Sequence, residues 1–300
     1  MSIVVTGATG RLGREVVEAL LRRGVPPSEI VATGRDVDKV KDLADRGVTV
    51  RRADFTEPED LAAAFAGAQK LLVVSTRTVN ERTANHRRAI DAAVAAGVPH
   101  VVYTSIVNAG SARTILAEAH RATERDLLTS GLPGTILRNG WYLENYMSNL
   151  PTYLRYGSVA GSAGQGRVNA ATIADYAEAA AIVLTGDGHI GSVYELGGDE
   201  AFTLTELAVR LSAATGQAIA YQDMPAERYA AMLTGAGLPA ELAIVLADAD
   251  LGLARGELFT DSGDLRQLLG RPTTTPAEAI TAAVGAAVGA GAAQARAQTS

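Results

Sequence analysis

The chain has 300 residues, 47% of them hydrophobic, and a formal net charge of −6. That apolar content suffices for a large core, and the mild acidity argues against electrostatic capture of nucleic acid, which needs clustered Lys and Arg. With no cysteine, disulfides, thiolate metal sites, Cys nucleophiles and thiol switching are excluded; no metal is expected.

Strand and helix signals alternate from the start. Residues 3–6 form a β-branched run ending at Gly7, and Leu12, Val16, Val17, Leu20 and Leu21 then repeat at helical spacing. Further strands are predicted at 30–33, 48–51, 71–75, 101–105 and 134–137. Helices are predicted at 37–45, 58–65, 84–96 and 117–129. This alternation predicts an α/β fold, a Rossmann-type doubly wound parallel sheet covered by helices on both faces. After Arg138 the rhythm changes to an aromatic and amide-rich stretch, NGWYLENYMSNLPTYLRYG. A strand at 193–196 is expected to return to the sheet. Residues 203–215 read as a helix opened by a capping box, Thr203 with Glu206. Helices at 226–233 and 241–246 suggest a smaller, mostly helical C-terminal lobe. The expected division is 1–138, with returning segments within 166–198, for the dinucleotide-binding domain. Residues 139–165 and 199–300 would form the substrate-side lobe. The Ala- and Gly-rich end from Ala277 is expected to be a short helix with a disordered tail over 286–300. No stretch is long and apolar enough to span a bilayer, and MSIVVTGATG does not resemble a secretory signal. A cytoplasmic protein without membrane insertion is expected.

The segment Gly7-Ala8-Thr9-Gly10-Arg11-Leu12-Gly13 lies between a strand and an amphipathic helix. Glycines there let the backbone approach a diphosphate, and the helix N-terminus offers unpaired N–H groups to it. The spacing G-x-x-G-x-x-G resembles that of short-chain dehydrogenases. Arg35 follows the second strand, where an Arg accommodates the 2′-phosphate of NADP; Asp36 beside it opposes that assignment. Arg11 adds a second charge. NADPH is therefore expected to be preferred over NADH. Asp54 and Phe55 follow the third strand, on the adenine side. Ser75, Thr76 and Arg77 follow the fourth, on the ribose and nicotinamide side.

The usual Y-x-x-x-K pair of short-chain dehydrogenases cannot exist here, because Lys39, Lys41 and Lys70 are the only lysines. In the corresponding helix His120 and Glu124 stand four residues apart and share one face. Two readings stand: His120 is a proton donor or orienting group paired with Glu124, or the pair is a structural hydrogen bond beside the cofactor. Ser105, at the end of the fifth strand, is either a ligand to substrate or cofactor, or a strand cap. A reaction needing no strong protein acid fits these residues. Hydride transfer to a quinone qualifies, since the nicotinamide supplies the difficult chemistry and the protein supplies orientation.

The segments TGATGRLG, VATGR, YTS, LRNGWYLENY, ATIADYA, VYELGGD, LADADLG, GELFTDS and GRPTTTPAE span nearly the whole chain. On them the sequence resembles the NmrA-like branch of atypical short-chain dehydrogenases, and within it the bacterial NAD(P)H:quinone oxidoreductases of type 2. The resemblance implies flavin-free two-electron reduction of quinones by NADPH. It also implies that Asn139, Gly140, Trp141, Tyr142 and Glu144 border the nicotinamide and the substrate cleft. Trp141, Tyr142 and Tyr146 offer flat apolar surface to a planar ring, and Asn139 and Asn145 offer amide hydrogen bonds. An alternative for the aromatics is packing between lobes. In this branch an Arg commonly precedes the Ala-Asp of ATIADYA; this chain has Ile173. Two other functions fit the same scaffold: a non-catalytic NADP(H)-binding redox sensor, and a reductase of another carbonyl or enone. A monomer or homodimer is expected.

Overall fold

The computed structural model of the chain describes residues 2–76, 78 and 80–298, with side chains as far as 287 in the last helix. Nine strands are formed: β1 Ile3–Val5, β2 Ile30–Gly34, β3 Thr49–Arg52, β4 Lys70–Val73, β5 Val101–Ile106, β6 Gly134–Asn139, β7 Ser158–Gly161, β8 Val193–Leu196 and β9 Ala220–Asp223. The helices of the first half are α1 Arg11–Arg22, α2 Lys41–Asp45, α3 Pro58–Phe65, α4 Arg82–Ala95 and α5 Ile115–Thr129. Then follow α6 Leu143–Met147, α7 Leu150–Tyr156, α8 Ile173–Thr185, α9 Leu204–Thr215, α10 Ala226–Gly235, α11 Ala240–Ala254, α12 Asp264–Leu269 and α13 Pro276–Gln298.

Seven strands pair in the order β3-β2-β1-β4-β5-β6-β8, all parallel. This is the expected Rossmann-type doubly wound sheet. Parallel strands need helical crossovers that bury both sheet faces, and β1, β2 and β5 accordingly have every residue buried. On one face Val16, Val17 and Leu20 of α1 pack with Ala177, Ala180 and Leu184 of α8. On the other, Phe65, Ala89, Ile90, Tyr103 and Leu127 form a second apolar layer. The strand order reverses between β1 and β4, so the crevice for a ligand opens beyond their carboxyl ends.

A separate core gathers Tyr146, Leu150, Phe202, Leu207, Leu211 and Leu258. Above it sits a small parallel sheet of β7 and β9, with Ser158 opposite Ala220 and Gly161 opposite Asp223. The expected mostly helical lobe thus also holds a two-stranded sheet that the sequence pattern does not announce. Each strand has four residues, and SVAG and AYQD lack the alternation that marks a strand by pattern. The predicted capping box of α9 forms: the Thr203 hydroxyl accepts from the Glu206 N–H, and the Glu206 carboxylate accepts from the Thr203 N–H. Helix α12, which the sequence reading placed with the second lobe, packs instead against α8 and β8 and sends Leu265 into the sheet core. Helix α13 runs on to Gln298 through the alanine-rich end, where the sequence reading has a disordered tail from 286; alanine is the strongest helix former. Among the described residues no helix is long and apolar enough to cross a membrane.

Candidate active site

The turn after β1 is built around its glycines. Gly7 adopts the left-handed region at φ +63°, open to glycine without strain. Its carbonyl accepts from the Gly10 N–H at 2.9 Å. A Cβ on Gly13 would lie 2.4 Å from the Gly7 oxygen, so only glycine lets α1 sit this close under the loop. Gly10 caps α1 with no side-chain hydrogen bond, and no acidic residue occupies the first turn. The first N–H groups of a helix have no partner within it, so this end is free to bind an anion.

The neighbouring strands complete the wall. The Ala8 N–H donates to the Thr33 carbonyl at 2.8 Å, tying the loop to β2. A Cβ on Gly34 would lie 2.5 Å from the Thr9 methyl. Arg35 and Arg11 are both exposed, and neither makes an ion pair or hydrogen bond among the described residues. Asp36 instead pairs with Lys39 at 3.3 Å. Its charge is thereby compensated away from Arg35, which weakens the objection it raised to a 2′-phosphate. After β3, Asp54 Oδ1 accepts from the Thr56 N–H and hydroxyl at 3.0 and 2.9 Å. The N–H bond from Thr56 is the main reason its carboxyl is held below the usual range. After β4 the backbone is pinned three times. Val74 N–H donates to Thr6 Oγ1, Ser75 N–H to Thr104 Oγ1, and Thr76 N–H to His86 Nε2, at 2.9, 2.9 and 3.0 Å.

These pieces enclose a cleft of about 480 Å³. Of the expected cofactor residues Gly7, Thr9, Gly10, Arg11, Leu12, Gly13, Arg35, Asp54, Phe55, Ser75, Thr76 and Tyr142 line it, together with Asn145 from the expected substrate set. Ile173 also lines it. Arg77 lies outside the described residues.

Other expected site residues are turned elsewhere. His120 and Glu124 share a face of α5 but do not bond to each other. His120 Nδ1 meets the Tyr103 hydroxyl at 2.7 Å. Glu124 is held by Arg138 through two hydrogen bonds, at 2.9 and 2.6 Å, and by the Ser105 hydroxyl at 2.5 Å. The expected His–Glu pair is thus replaced by two separate contacts, because β5 and β6 supply a stronger partner to each. Ser105 is committed to Glu124 and borders no part of the cleft. Asn139 is buried at the end of β6. Gly140 crosses closely under β8, where a Cβ would meet the Tyr176 hydroxyl at 2.9 Å and the Leu196 carbonyl at 3.0 Å. Glu144 accepts from the Ile173 N–H at 2.9 and 3.0 Å, so it serves the start of α8. Trp141 and Tyr146 pack in the second core, with Tyr146 edge-on to Phe202 at 5.9 Å between ring centroids. Neither lines the cleft described above. Tyr142 lines the cleft, its ring tilted by 48° against that of Tyr176 with 5.3 Å between centroids.

Glu81, Arg82 and Asn85 line the cleft and were missed. The predicted helix began at 84, whereas α4 begins at Arg82. A helix start just beyond β4 is the signal that would have pointed to them.

The glycine turn, the uncapped helix end and the unpaired arginines fit a dinucleotide phosphate. The pattern of the NmrA-like family matches residues 1–254. The chain belongs to the NmrA-like family. Among its relatives, quinone oxidoreductase 2 of Escherichia coli (strain K12) is 47% identical over 279 residues, 93% of this chain and 97% of that protein. The crystal structure of the E. coli NADPH-dependent quinone oxidoreductase in complex with NADPH superposes with a TM-score of 0.90 at 46% identity, covering 93% of this chain and 98% of that one. Triphenylmethane reductase of Citrobacter sp. with NADP(H) superposes at 0.89 with 38% identity, covering 94% and 100%. Reductases named for different substrates thus share this fold, which by itself does not fix the substrate.

Proposed function

We propose that this protein is an NADPH-dependent quinone reductase that transfers hydride directly to its substrate, without flavin. The observation that carries the reading is the single cleft. One end has the diphosphate cradle, and the other has the flat face of Tyr142 with the amide of Asn145. The 47% identity to an E. coli quinone oxidoreductase over nearly its full length supports it. Gly7, Gly10, Gly13 and the first turn of α1 would hold the diphosphate. Arg35 and Arg11 would take the 2′-phosphate, favouring NADPH over NADH. Phe55 would flank the adenine. Bound NADPH supplies the hydride. The chain orients the acceptor ring against Tyr142 and excludes water from one face of it. His120, Glu124 and Ser105 serve the wall behind the site. Proton transfer to the reduced quinone is left to solvent, because quinone oxygens accept charge without a strong acid.

The test follows absorbance of reduced nicotinamide with purified protein, NADPH and 1,4-benzoquinone. Protein-dependent oxidation is expected, slower with NADH. No oxidation across several benzo- and naphthoquinones overturns the reading.

A further inference from the structure

The first turn of α4 carries a buried cation that the protein leaves uncompensated. Arg82 is 7% exposed and lines the cleft. Its Nε donates to the Thr76 carbonyl at 2.9 Å. Nη1 is buried and has no hydrogen-bond partner. No carboxylate pairs with this guanidinium among the described residues. Glu81 lines the same cleft but is exposed and makes no ion pair with it. Glu124 is already held by Arg138 and Ser105.

The remaining neighbours are neutral, and their protons and ring nitrogens are committed to one another. The Thr76 N–H fixes His86 Nε2 as an acceptor at 3.0 Å. A neutral His86 then carries its proton on Nδ1, which donates to Thr123 Oγ1 at 2.9 Å. The Thr123 hydroxyl donates to the Ala119 carbonyl at 3.0 Å. The Tyr103 hydroxyl, facing a protonated Nδ1 on His86, donates to His120 Nδ1 at 2.7 Å. Burial, and then the charge of Arg82, hold both imidazoles below their ordinary range, His86 down to about 3. No hydrogen bond runs from Arg82 to this relay among the described residues, and the relay holds no full negative charge to balance it. A buried charge without a partner is costly, and Arg82 lines the cleft, from which a partner can reach it after a small shift of its buried Nη1.

We infer that Arg82 is the oxyanion-binding residue of the acceptor end of the cleft. It takes the oxygen on which negative charge gathers as the acceptor is reduced. This rests on the quinone reading above. In that reaction the nicotinamide C4–H bond breaks and its electron pair leaves as hydride. The nicotinamide is oxidised, the quinone becomes the hydroquinone monoanion, and solvent supplies the second proton. Arginine stays charged at every working pH and presents a planar fork of donors to that oxygen. A fixed cation in a water-poor pocket stabilises developing charge more than water does. Topology separates Arg82 from the phosphate cradle. It follows β4 and bonds to Thr76, whereas Arg11 and Arg35 follow β1 and β2.

The experiment uses the full chain loaded with NADP+ and 4-nitrophenolate, a redox-inert aryl oxyanion, at a pH where it is ionised. Calorimetry on the unaltered protein should show 4-nitrophenolate binding at least tenfold tighter than neutral 4-nitroanisole. Arg82→Met should remove that preference, Arg82→Lys should keep part of it, and both should bind NADP+ within twofold of the unaltered protein. With 1,4-benzoquinone, Arg82→Met should lower kcat at least tenfold with KM for NADPH unchanged. Equal binding of the two aryl ligands to the unaltered protein overturns the assignment even if the variants fail to fold. A tenfold loss of NADP+ affinity with phenolate binding intact also overturns it, and gives Arg82 to the cofactor. If no quinone is reduced yet the phenolate preference depends on Arg82, the oxyanion site stands and only the quinone reading falls.

Discussion

Arg35 and Arg11 line the cleft and make no ion pair among the described residues, Asp36 being paired with Lys39; under the proposed function they stand where the ribose phosphate would lie. A phosphate on the ribose would meet a charge-assisted partner there, and a bare ribose would not. Arg35→Ala is therefore expected to weaken NADPH about ten- to hundredfold and to leave NADH nearly unchanged. Calorimetry with both cofactors checks it; equal losses would remove Arg35 from 2′-phosphate recognition. The opposite reasoning applies to Glu124. It is buried, clamped by Arg138 and by Ser105, and turned away from the cleft. Arg138 would keep Glu195 at 2.7 Å but lose its more deeply buried carboxylate partner, and a partly buried cation is costly to leave undercompensated. Glu124→Gln should lower unfolding free energy by about 2–4 kcal/mol in urea, with turnover of the folded protein within about threefold of the unaltered chain, less than 1 kcal/mol of barrier. A more than tenfold loss of turnover at unchanged stability would return Glu124 to the chemistry.

Among the elements, the turn between β1 and α1 admits least change. A methyl on Gly13 meets the Gly7 carbonyl at 2.4 Å. Backbone cannot yield there without lifting the start of α1 away from the loop, which is the geometry that gathers the free N–H groups. Gly13→Ala is expected to cost about 1–3 kcal/mol of stability and to abolish NADPH binding at millimolar concentration. Retained micromolar binding in a folded variant would mean that the diphosphate is held elsewhere. This turn was legible in the sequence, as were the seven strands of the main sheet, because buried parallel strands read as apolar runs punctuated by glycine. The acceptor end was legible only in part. Helical spacing places His120 and Glu124 on one face of α5, but it does not say that Tyr103 and Arg138 face them from β5 and β6. In the same way, the composition of the NGWYLENY block promised a ring-binding wall. Only Tyr142 and Asn145 reach the cleft, because the helical turn of α6 carries Tyr146 into the second core. Arg82 escaped notice because a charged residue at a helix start reads as solvated until its burial is known.

At the scale of the whole molecule, the chain is a sheet core and a second core joined along β6 and the segments that return to it, and the second core holds a charge of its own. Asp250 on α11 accepts from the Ser162 N–H at 2.8 Å, and its charge is felt by Tyr146, Tyr153, Tyr221 and Tyr229 and by the carboxylate of Asp223. Burial pushes its carboxyl up from 3.8 to about 6, with Asp223 adding to the rise and the Ser162 N–H opposing it. The tyrosines are themselves pushed upward by burial and stay protonated. Between pH 4 and 6 the folded chain therefore keeps a proton on Asp250 that the unfolded chain has released. Stability from this group is complete below pH 4 and falls as pH rises through 6, because the folded state must then bury a charge. The full loss is roughly 3 kcal/mol. Carboxylates held low by hydrogen bonds, such as Asp54 and Glu257, act in the other direction and at lower pH, so the unaltered protein alone does not isolate the effect. Asp250→Asn does. Its amide oxygen can accept the same N–H bond without ever ionising. The difference in unfolding free energy between this variant and the unaltered chain, measured in urea, should grow in favour of the variant from pH 4.5 to pH 7. A difference that stays flat over that range would mean that water reaches Asp250.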